Sequence, residues 1–103
     1  MEIVNTARFD ELINQEKPVV CDFFADWCGP CKMLAPVLEE ASKKFEDKAV
    51  FVKVNVDDNM ELAARYGVMS IPLVCVFKGG EVAAKSLGYT NASETEEFLS
   101  GNL

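Results

Sequence analysis

Apolar and polar residues follow one another along the chain in blocks that predict alternating strands and helices. Residues 19–25 and 49–56 are almost continuously apolar, which is typical of strands covered on both faces. Residues 31–46 lie between them and carry apolar side chains at helical spacing with charges opposite, which predicts a long amphipathic helix. Pro36 inside this segment is expected to kink the helix. A strand–helix–strand order of this kind predicts a parallel, right-handed unit.

Shorter elements precede and follow this unit. Three further segments have apolar residues at helical spacing: residues 6–15, 59–66 and 93–100. Thr6 is a candidate N-cap for the first segment, and Gly67 suits the left-handed position that ends the second. The two-residue turn Gly79-Gly80 separates strand patterns at 73–78 and 81–86, which predicts an antiparallel hairpin.

These elements predict an α/β fold with a mixed central sheet and helices on both faces. The sheet should be parallel in its first half and antiparallel in its C-terminal hairpin. The sequence contains no linker, internal repeat or low-complexity stretch, and 103 residues suffice for one apolar core but not for two. We therefore expect residues 1–103 to form a single domain.

The charge balance narrows the range of partners. Ten Lys and Arg residues against 17 Asp and Glu residues give a net charge of -7, and there is no histidine. Nucleic-acid binding depends on clustered Lys and Arg residues, and no such run occurs. No apolar segment is as long as a membrane span, which needs about 20 residues. Residues 1–5 lack the basic stretch followed by an apolar stretch with which a signal peptide begins. We expect a cytoplasmic protein whose partners are proteins, not nucleic acids or membranes.

The segment with the clearest chemistry is residues 27–32 (WCGPCK), between the predicted strand and the long helix. This position places Cys28 and Cys31 at the first turn of a helix, where free N–H groups and the helix dipole stabilise a thiolate. Two thiols three residues apart lie on one helical face and can close a small disulfide ring. The segment predicts a thiol–disulfide oxidoreductase.

The other two cysteines, Cys21 and Cys75, lie inside runs that look like buried strands. Small buried apolar side chains are one interpretation of them, and a second redox pair or a regulatory thiol is the other. A zinc site would need four ligands, and the chain offers neither histidine nor a second C-x-x-C motif. We expect no metal.

Two charged residues interrupt the apolar strands. Asp22 lies within residues 19–24 (VVCDFF), where desolvation should raise its pKa. A buried acid of this kind is a candidate for proton exchange. The alternative is that Asp22 is a structural polar group whose hydrogen bonds are satisfied. Lys53 interrupts residues 50–56. Its side chain either approaches Asp22 or extends along the strand edge to water.

Several motifs in a fixed order resemble the thioredoxin family along essentially the whole chain. They are residues 22–32 (DFFADWCGPCK), Pro36, residues 53–57 (KVNVD), Ile71-Pro72 and residues 77–81 (FKGGE). The resemblance implies the thioredoxin fold and a general protein disulfide reductase. Its redox group would be the reversible Cys28–Cys31 disulfide, with no bound cofactor.

The resemblance also implies roles for the central residues. Cys28 would be the nucleophile and the more exposed thiol, and Cys31 the resolving thiol buried behind it. Pro30 would keep the couple reducing, since relatives with histidine at this position tend toward oxidation or isomerisation. Asp22 would accept the proton of Cys31 through a water molecule, and the ammonium of Lys53 would tune Asp22.

A docking rim around Cys28 follows from the same resemblance. The family's matching proline is cis, so Pro72 would be cis and face the cysteines, and the backbone of Ile71 would pair with an extended substrate chain. The rim would consist of Trp27, Gly29, Pro30, Val68, Met69, Ile71, Pro72 and Gly88. Core packing is the alternative for Val68 and Met69. Phe24 and Leu73 depart from the common tryptophan and threonine close to the site, and bear on the acidity of Asp22 and on the range of partners.

Partners follow from the resemblance as well. We expect a flavin-containing thioredoxin reductase that draws on NADPH, with ferredoxin-linked donors as the alternative, and client proteins with disulfides. A monomer is expected. An oxidant or isomerase on the same fold is the nearest alternative function, and a binding role in which redox chemistry is secondary is the other.

Overall fold

A computed structural model describes residues 1–103 as a five-stranded sheet flanked by four helices. The strands are β1 (Glu2–Ile3), β2 (Val19–Phe24), β3 (Val50–Asn55), β4 (Leu73–Lys78) and β5 (Glu81–Leu87). The helices are α1 (Thr6–Ile13), α2 (Gly29–Lys44), α3 (Met60–Arg65) and α4 (Ala92–Asn102). None of the helices is both long and apolar enough to cross a membrane.

The sheet has the strand order β1-β3-β2-β4-β5. Strands β1 and β2 both run parallel to β3, whereas β4 is antiparallel to β2 and to β5. All six residues of β2 are buried because this strand is central and covered on both faces. The predicted mixed sheet, with its parallel first half and its C-terminal hairpin, is confirmed.

Two apolar layers hold helices on opposite faces of the sheet. On one face Phe9 of α1 and Leu62 of α3 pack with Cys21, Phe23 and Cys75, among other strand residues. On the other face the fully buried α2 side chains Leu34 and Leu38, together with Leu99 of α4, pack with residues such as Val20, Val74 and Val76. Residues of one strand alternate between these layers, so Cys21 and Asp22 point to opposite faces.

Element boundaries differ from expectation mainly at helix starts. Asn5, not Thr6, caps α1, and its side-chain oxygen accepts the N–H of Arg8 at 2.9 Å. Helix α2 begins at Gly29, two residues before the expected start, and contains Pro36. Strand β1 was not predicted, because a two-residue strand is too short to show an alternating pattern.

The predicted glycine turns are confirmed. Gly79 and Gly80 have φ values of 60° and 81°, the two positive angles of a type I′ hairpin turn. Gly67 has a φ of 64° immediately after α3 and its cap residue Tyr66, as expected for a left-handed helix C-terminus. This turn leads the chain into the loop before β4, where Ile71 and Pro72 lie.

Candidate active site

The redox pair lies at the amino end of α2, directly beyond the carboxyl end of the central strand β2. Cys28 is the N-cap of the helix and Cys31 is in its first turn, with Cα atoms 5.2 Å apart and sulfurs joined as a disulfide. The backbone N–H of Cys31 donates a hydrogen bond to Sγ of Cys28 at 3.2 Å. Together with the helix dipole, this N–H stabilises negative charge on the Cys28 sulfur when the pair is reduced.

Gly29 and Pro30 lie between the two cysteines in the first turn of α2. Pro30 stands at the start of α2, where its missing N–H removes no helical hydrogen bond. A Cβ atom on Gly29 would meet no atom within 4 Å, so the small residue leaves open space beside the disulfide.

Both cysteines are buried, with 3% of Cys28 and 4% of Cys31 exposed. The expectation that Cys28 is the more exposed of the two is therefore wrong for this disulfide form. The cause is packing: both residues form a small cluster with Phe24 and Ala25, and Val56 and Ile71 pack against it. Sγ of Cys28 lies 3.8 Å from the carbonyl oxygen of Ile71.

The Ile71–Pro72 peptide bond is cis, as the resemblance implied. The carbonyl of Ile71 faces Cys28, and the carbonyl of Pro72 accepts the N–H of Gly88 at 2.8 Å. Gly88 has a φ of 87°, a conformation that favours glycine. The structure thus places Ile71 beside the disulfide and joins Gly88 to the adjacent Pro72.

The other predicted rim residues differ in exposure. Trp27 is 71% exposed, and its indole N–H donates to Oδ2 of Asp57 at 2.9 Å. Met69 is 95% exposed. Val68 is only half-exposed and packs against the α1/α3 layer. Core packing is therefore excluded for Met69, whereas Val68 both packs partly against that layer and keeps exposed surface.

Two further residues near this surface were not predicted as site residues. Asp57 holds the Trp27 indole, and the preceding KVNV pattern was the signal for it. Leu87 is 65% exposed and lines a shallow pocket with Met69 and Lys85. An exposed leucine at the end of a strand, just before Gly88, carried no distinctive sequence signal.

Asp22 is buried with 1% of its surface exposed, and neither carboxylate oxygen has a hydrogen-bond partner. Burial raises the pKa of Asp22 from 3.8 to about 6, and the charge of Lys53 opposes part of this shift. No protein group satisfies the Asp22 carboxyl as a structural polar group. A carboxyl group that ionises near neutral pH can both take up and release a proton under physiological conditions.

Lys53 lies opposite Asp22 in the register of β2 and β3. Its Nζ atom lies 4.5 Å from the centroid of the Phe24 ring, a cation–π contact, and no ion pair with Asp22 forms. Lys53 also lines a cleft that reaches Cys31. The lining residues are Phe24, Ala25, Asp26, Cys31, Lys32, Ala35 and Lys53.

A buried disulfide at the amino end of a helix, a proline loop facing it and a buried acid on the central strand define a thiol–disulfide oxidoreductase. Clusters of three or more His, Cys, Asp or Glu side chains that could hold a metal ion do not occur. The redox group is the Cys28–Cys31 pair itself.

Comparison with known proteins identifies the family. The family model described as Thioredoxin matches residues 1–101. The chain is 49% identical over 88 residues to a thioredoxin of Bacillus subtilis, covering 85% of each chain. It is 45% identical over 93 residues to one of Alicyclobacillus acidocaldarius, covering 90% of this chain and 89% of that one. A solved structure of Plasmodium falciparum thioredoxin superimposes with a TM-score of 0.92 at 39% identity, covering 100% of both chains.

The chain therefore belongs to the thioredoxin family. Its fold is the thioredoxin fold, and its activity is that of a protein disulfide reductase and redox carrier. A reductase that recharges the pair and proteins that carry disulfides are its general partners.

Proposed function

We propose that Cys28 is the nucleophile and Cys31 the resolving thiol of a disulfide-reducing cycle. The observation that carries this assignment is the hydrogen bond from the Cys31 N–H to Sγ of Cys28 at the amino end of α2. This contact and the helix dipole favour the thiolate at Cys28, and the thiolate is the attacking species.

The cycle transfers two electrons in two exchange steps. The Cys28 thiolate attacks a client disulfide, forms a mixed disulfide with one client sulfur and releases the other as a thiolate. The Cys31 thiolate then attacks Sγ of Cys28, closes the Cys28–Cys31 disulfide and releases the second client sulfur. The client gains two electrons and two protons, and the cysteine pair loses them.

Asp22 is the proton acceptor for Cys31 in the second step. Its unpaired buried carboxyl, with a pKa of about 6, supports this role, as does its position on the sheet face that α2 covers. Cys31 and Lys53 line a cleft that is wide enough to admit water, and Lys53 lies opposite Asp22 in the strand register. A water molecule there would carry the proton from Cys31 toward Asp22. Lys53 tunes Asp22 through its charge.

An extended client chain docks along Ile71. None of the backbone hydrogen bonds outside the helices and strands involves Ile71, so its N–H is available to a client backbone, and its C=O faces Cys28 at the point of attack. The remaining contacts come from a rim of small and apolar residues: Trp27, Gly29, Pro30, Val68, Met69, Pro72 and Gly88. Trp27 and Met69 are the large exposed apolar side chains of this rim.

The physiological setting follows from the same family relationship. The protein acts as a monomeric single domain of residues 1–103 in the cytoplasm, recharged by a flavin-containing thioredoxin reductase that draws on NADPH. Its charge of -7 and lack of a basic cluster fit protein partners better than nucleic acids.

Trapping of the mixed disulfide tests the two cysteine roles. Cys31→Ser should accumulate a covalent complex with a disulfide-containing client protein, visible on a non-reducing gel and cleaved by dithiothreitol. Cys28→Ser should form none, although it keeps a thiol three residues away. Equal trapping by both variants would overturn the assignment.

A further inference from the structure

A shallow pocket lies at the end of β5, beside the loop that carries Ile71. Its floor is an opposed pair of residues from the antiparallel strands β4 and β5, Leu73 and Leu87, whose side chains project from the same face of the sheet. Leu73 is buried, whereas 65% of Leu87 is exposed. We call this concavity the Leu87 pocket. It has a volume of about 280 Å³ and is completed by Gly67, Met69, Ser70 and Lys85.

The size and lining of the Leu87 pocket suit one apolar side chain. Sites for small molecules usually measure about 300–1,000 Å³ and bury most of their ligand, so this shallow pocket does not suit a free cofactor. Leu73 and Leu87 provide an apolar floor. Met69 is 95% exposed, and its flexible thioether chain can fold over apolar groups of different shapes. The pocket therefore offers an apolar side chain both a floor and an adaptable cover.

The Leu87 pocket is continuous with the surface on which a client chain docks. Ser70 lines the pocket and directly precedes Ile71, whose carbonyl lies beside the active-site disulfide. Leu87 directly precedes Gly88, which is hydrogen-bonded to Pro72. A client chain that pairs with Ile71 therefore passes along the edge of the pocket. Because an extended chain projects alternate side chains in the same direction, a residue on one flank of the attacked cysteine points into the pocket.

Charge distinguishes this side of the docking surface from the Trp27 side. Lys85 lines the pocket, is exposed and takes part in none of the ion pairs of the structure. On the other side, exposed Asp57 accepts the indole N–H of Trp27, and exposed Asp26 precedes Trp27 in the chain. An acidic client residue is therefore attracted on the Lys85 side and repelled on the Trp27 side.

We propose that the Leu87 pocket is a specificity subsite, which selects client disulfides flanked on one side by an apolar residue and an acidic residue. The apolar side chain occupies the pocket, and the carboxylate pairs with Lys85. This inference rests on the proposed docking of an extended client along Ile71, and it adds a substrate class to that function.

The experiment uses short alanine-based peptides whose single central cysteine is joined to thionitrobenzoate. The aromatic thiol is the better leaving group because its pKa is low, so the Cys28 thiolate attacks the peptide sulfur and releases the coloured thiolate. Leucine or serine, together with glutamate or glutamine, is placed on one flank of the cysteine or on the other. The second-order rate constant of thiolate release is measured with the reduced protein.

We expect a preference on one flank only. Leucine in place of serine should raise the rate constant about tenfold there, because an apolar side chain is removed from water. Glutamate in place of glutamine should raise it about threefold, as an exposed ion pair does, and less at high salt. On the other flank, glutamate should lower the rate constant.

Substitutions at the pocket should remove these preferences. Leu87→Ala should abolish most of the preference for leucine, and Lys85→Glu should reverse the preference for glutamate. Lys78→Glu is the matched control, because it makes the same change of charge at the exposed far end of β4. This control variant should keep both preferences.

The unsubstituted alanine peptide separates this inference from the function on which it rests. No release from that peptide would overturn the proposed attack by Cys28, and the subsite with it. Equal rate constants for all peptides, a leucine preference that survives Leu87→Ala, or equal effects of Lys85→Glu and Lys78→Glu would overturn the subsite alone. A rate constant that falls as the protein concentration rises, and recovers in Leu87→Ala, would also overturn it, because a second copy of this chain would then fill the pocket.

Discussion

Asp22 and Lys53 occupy opposite positions on β2 and β3, but the ammonium of Lys53 lies over the Phe24 ring and leaves both Asp22 oxygens without a hydrogen bond. Burial therefore destabilises the ionised form of Asp22, and the nearby positive charge of Lys53 offsets only part of this effect. Phe24 has a direct part in this arrangement because its ring provides the surface on which the lysine rests. The acidity of Asp22 is the property of the site that tests can address most directly.

The stability of the fold should depend on pH through Asp22. Folding raises the pKa of Asp22 from 3.8 to about 6, so between these values the folded chain binds more protons than the unfolded chain. Ionisation of Asp22 therefore lowers the free energy of unfolding. This effect is absent below the pKa of Asp22 in the unfolded chain and complete above its pKa in the folded chain. At about 1.4 kcal/mol per pKa unit, the effect is about 3 kcal/mol.

Urea unfolding of the wild type and Asp22→Asn at a series of pH values measures this effect. We expect the free energy of unfolding of the variant, relative to the wild type, to increase by about 3 kcal/mol from acid to neutral pH. The pH-independent cost of burying the amide cancels in this comparison. A difference that stays constant across the range would show that Asp22 ionises normally.

Asp22→Asn should also slow catalysis. Loss of the proton acceptor should reduce the rate of client release by about 10²-fold at neutral pH, the common contribution of general base catalysis. The measurement is single-turnover reduction of a protein disulfide between pH 5 and about 8. The ionisation near pH 6 should disappear from the profile of the variant. An unchanged pH–rate profile would reject the proton-transfer role.

Lys53→Met should raise the pKa of Asp22 above about 6, because it removes the positive charge that opposes the desolvation shift. The titration of the Asp22 carboxyl carbon, followed by NMR, measures this directly. Lys78→Met is the matched control, since Lys78 is exposed at the far end of β4. An identical Asp22 titration in Lys53→Met and the wild type would mean that the two residues are not coupled.

Met69→Asp should weaken client docking without changing the chemistry of the cysteines. A charge on this exposed side chain removes apolar contact with a client chain, and we expect kcat/KM for a protein disulfide to fall about tenfold through a higher KM. Reduction of a small aromatic disulfide should be unaffected. Met60→Asp serves as control because Met60 is also exposed but lies outside the predicted rim. Equal kinetics for the wild type and Met69→Asp would remove Met69 from the rim.

Pro30→His should make the Cys28–Cys31 couple more oxidising. A protonated imidazole at the start of α2 would stabilise the Cys28 thiolate, which favours the reduced form. We expect the equilibrium with glutathione to shift about tenfold toward reduced protein, quantified by alkylation and mass spectrometry. Pro30→Ala separates the effect of the imidazole from the loss of proline. An equal shift in both variants would assign the effect to the proline ring alone.

Local patterns in the sequence were sufficient to predict most of the fold. The continuous apolar run of β2 and the helical spacing in α2 are properties of neighbouring residues, so burial and periodicity can be recognised before the chain is folded. The same applies to Cys28 and Cys31, whose spacing and position at a helix start define the redox pair. The raised pKa of Asp22 was predictable as well, because a carboxylate inside an apolar strand is desolvated whatever its neighbours are.

Contacts between distant segments were decided only by the tertiary structure. The Ile71 carbonyl meets Cys28 across 43 positions of the chain and helps to bury it, so the predicted difference in exposure between the two cysteines is absent. The contact of Lys53 with Phe24 and the pairing of Cys21 with Cys75 depend on strand register. The sequence by itself determined the apolar strands, the helical spacing of α2 and the reactive cysteine pair. Strand register and packing decided which residues meet. Both are set by the free energy of the whole chain, so they cannot be read from the spacing of neighbouring residues.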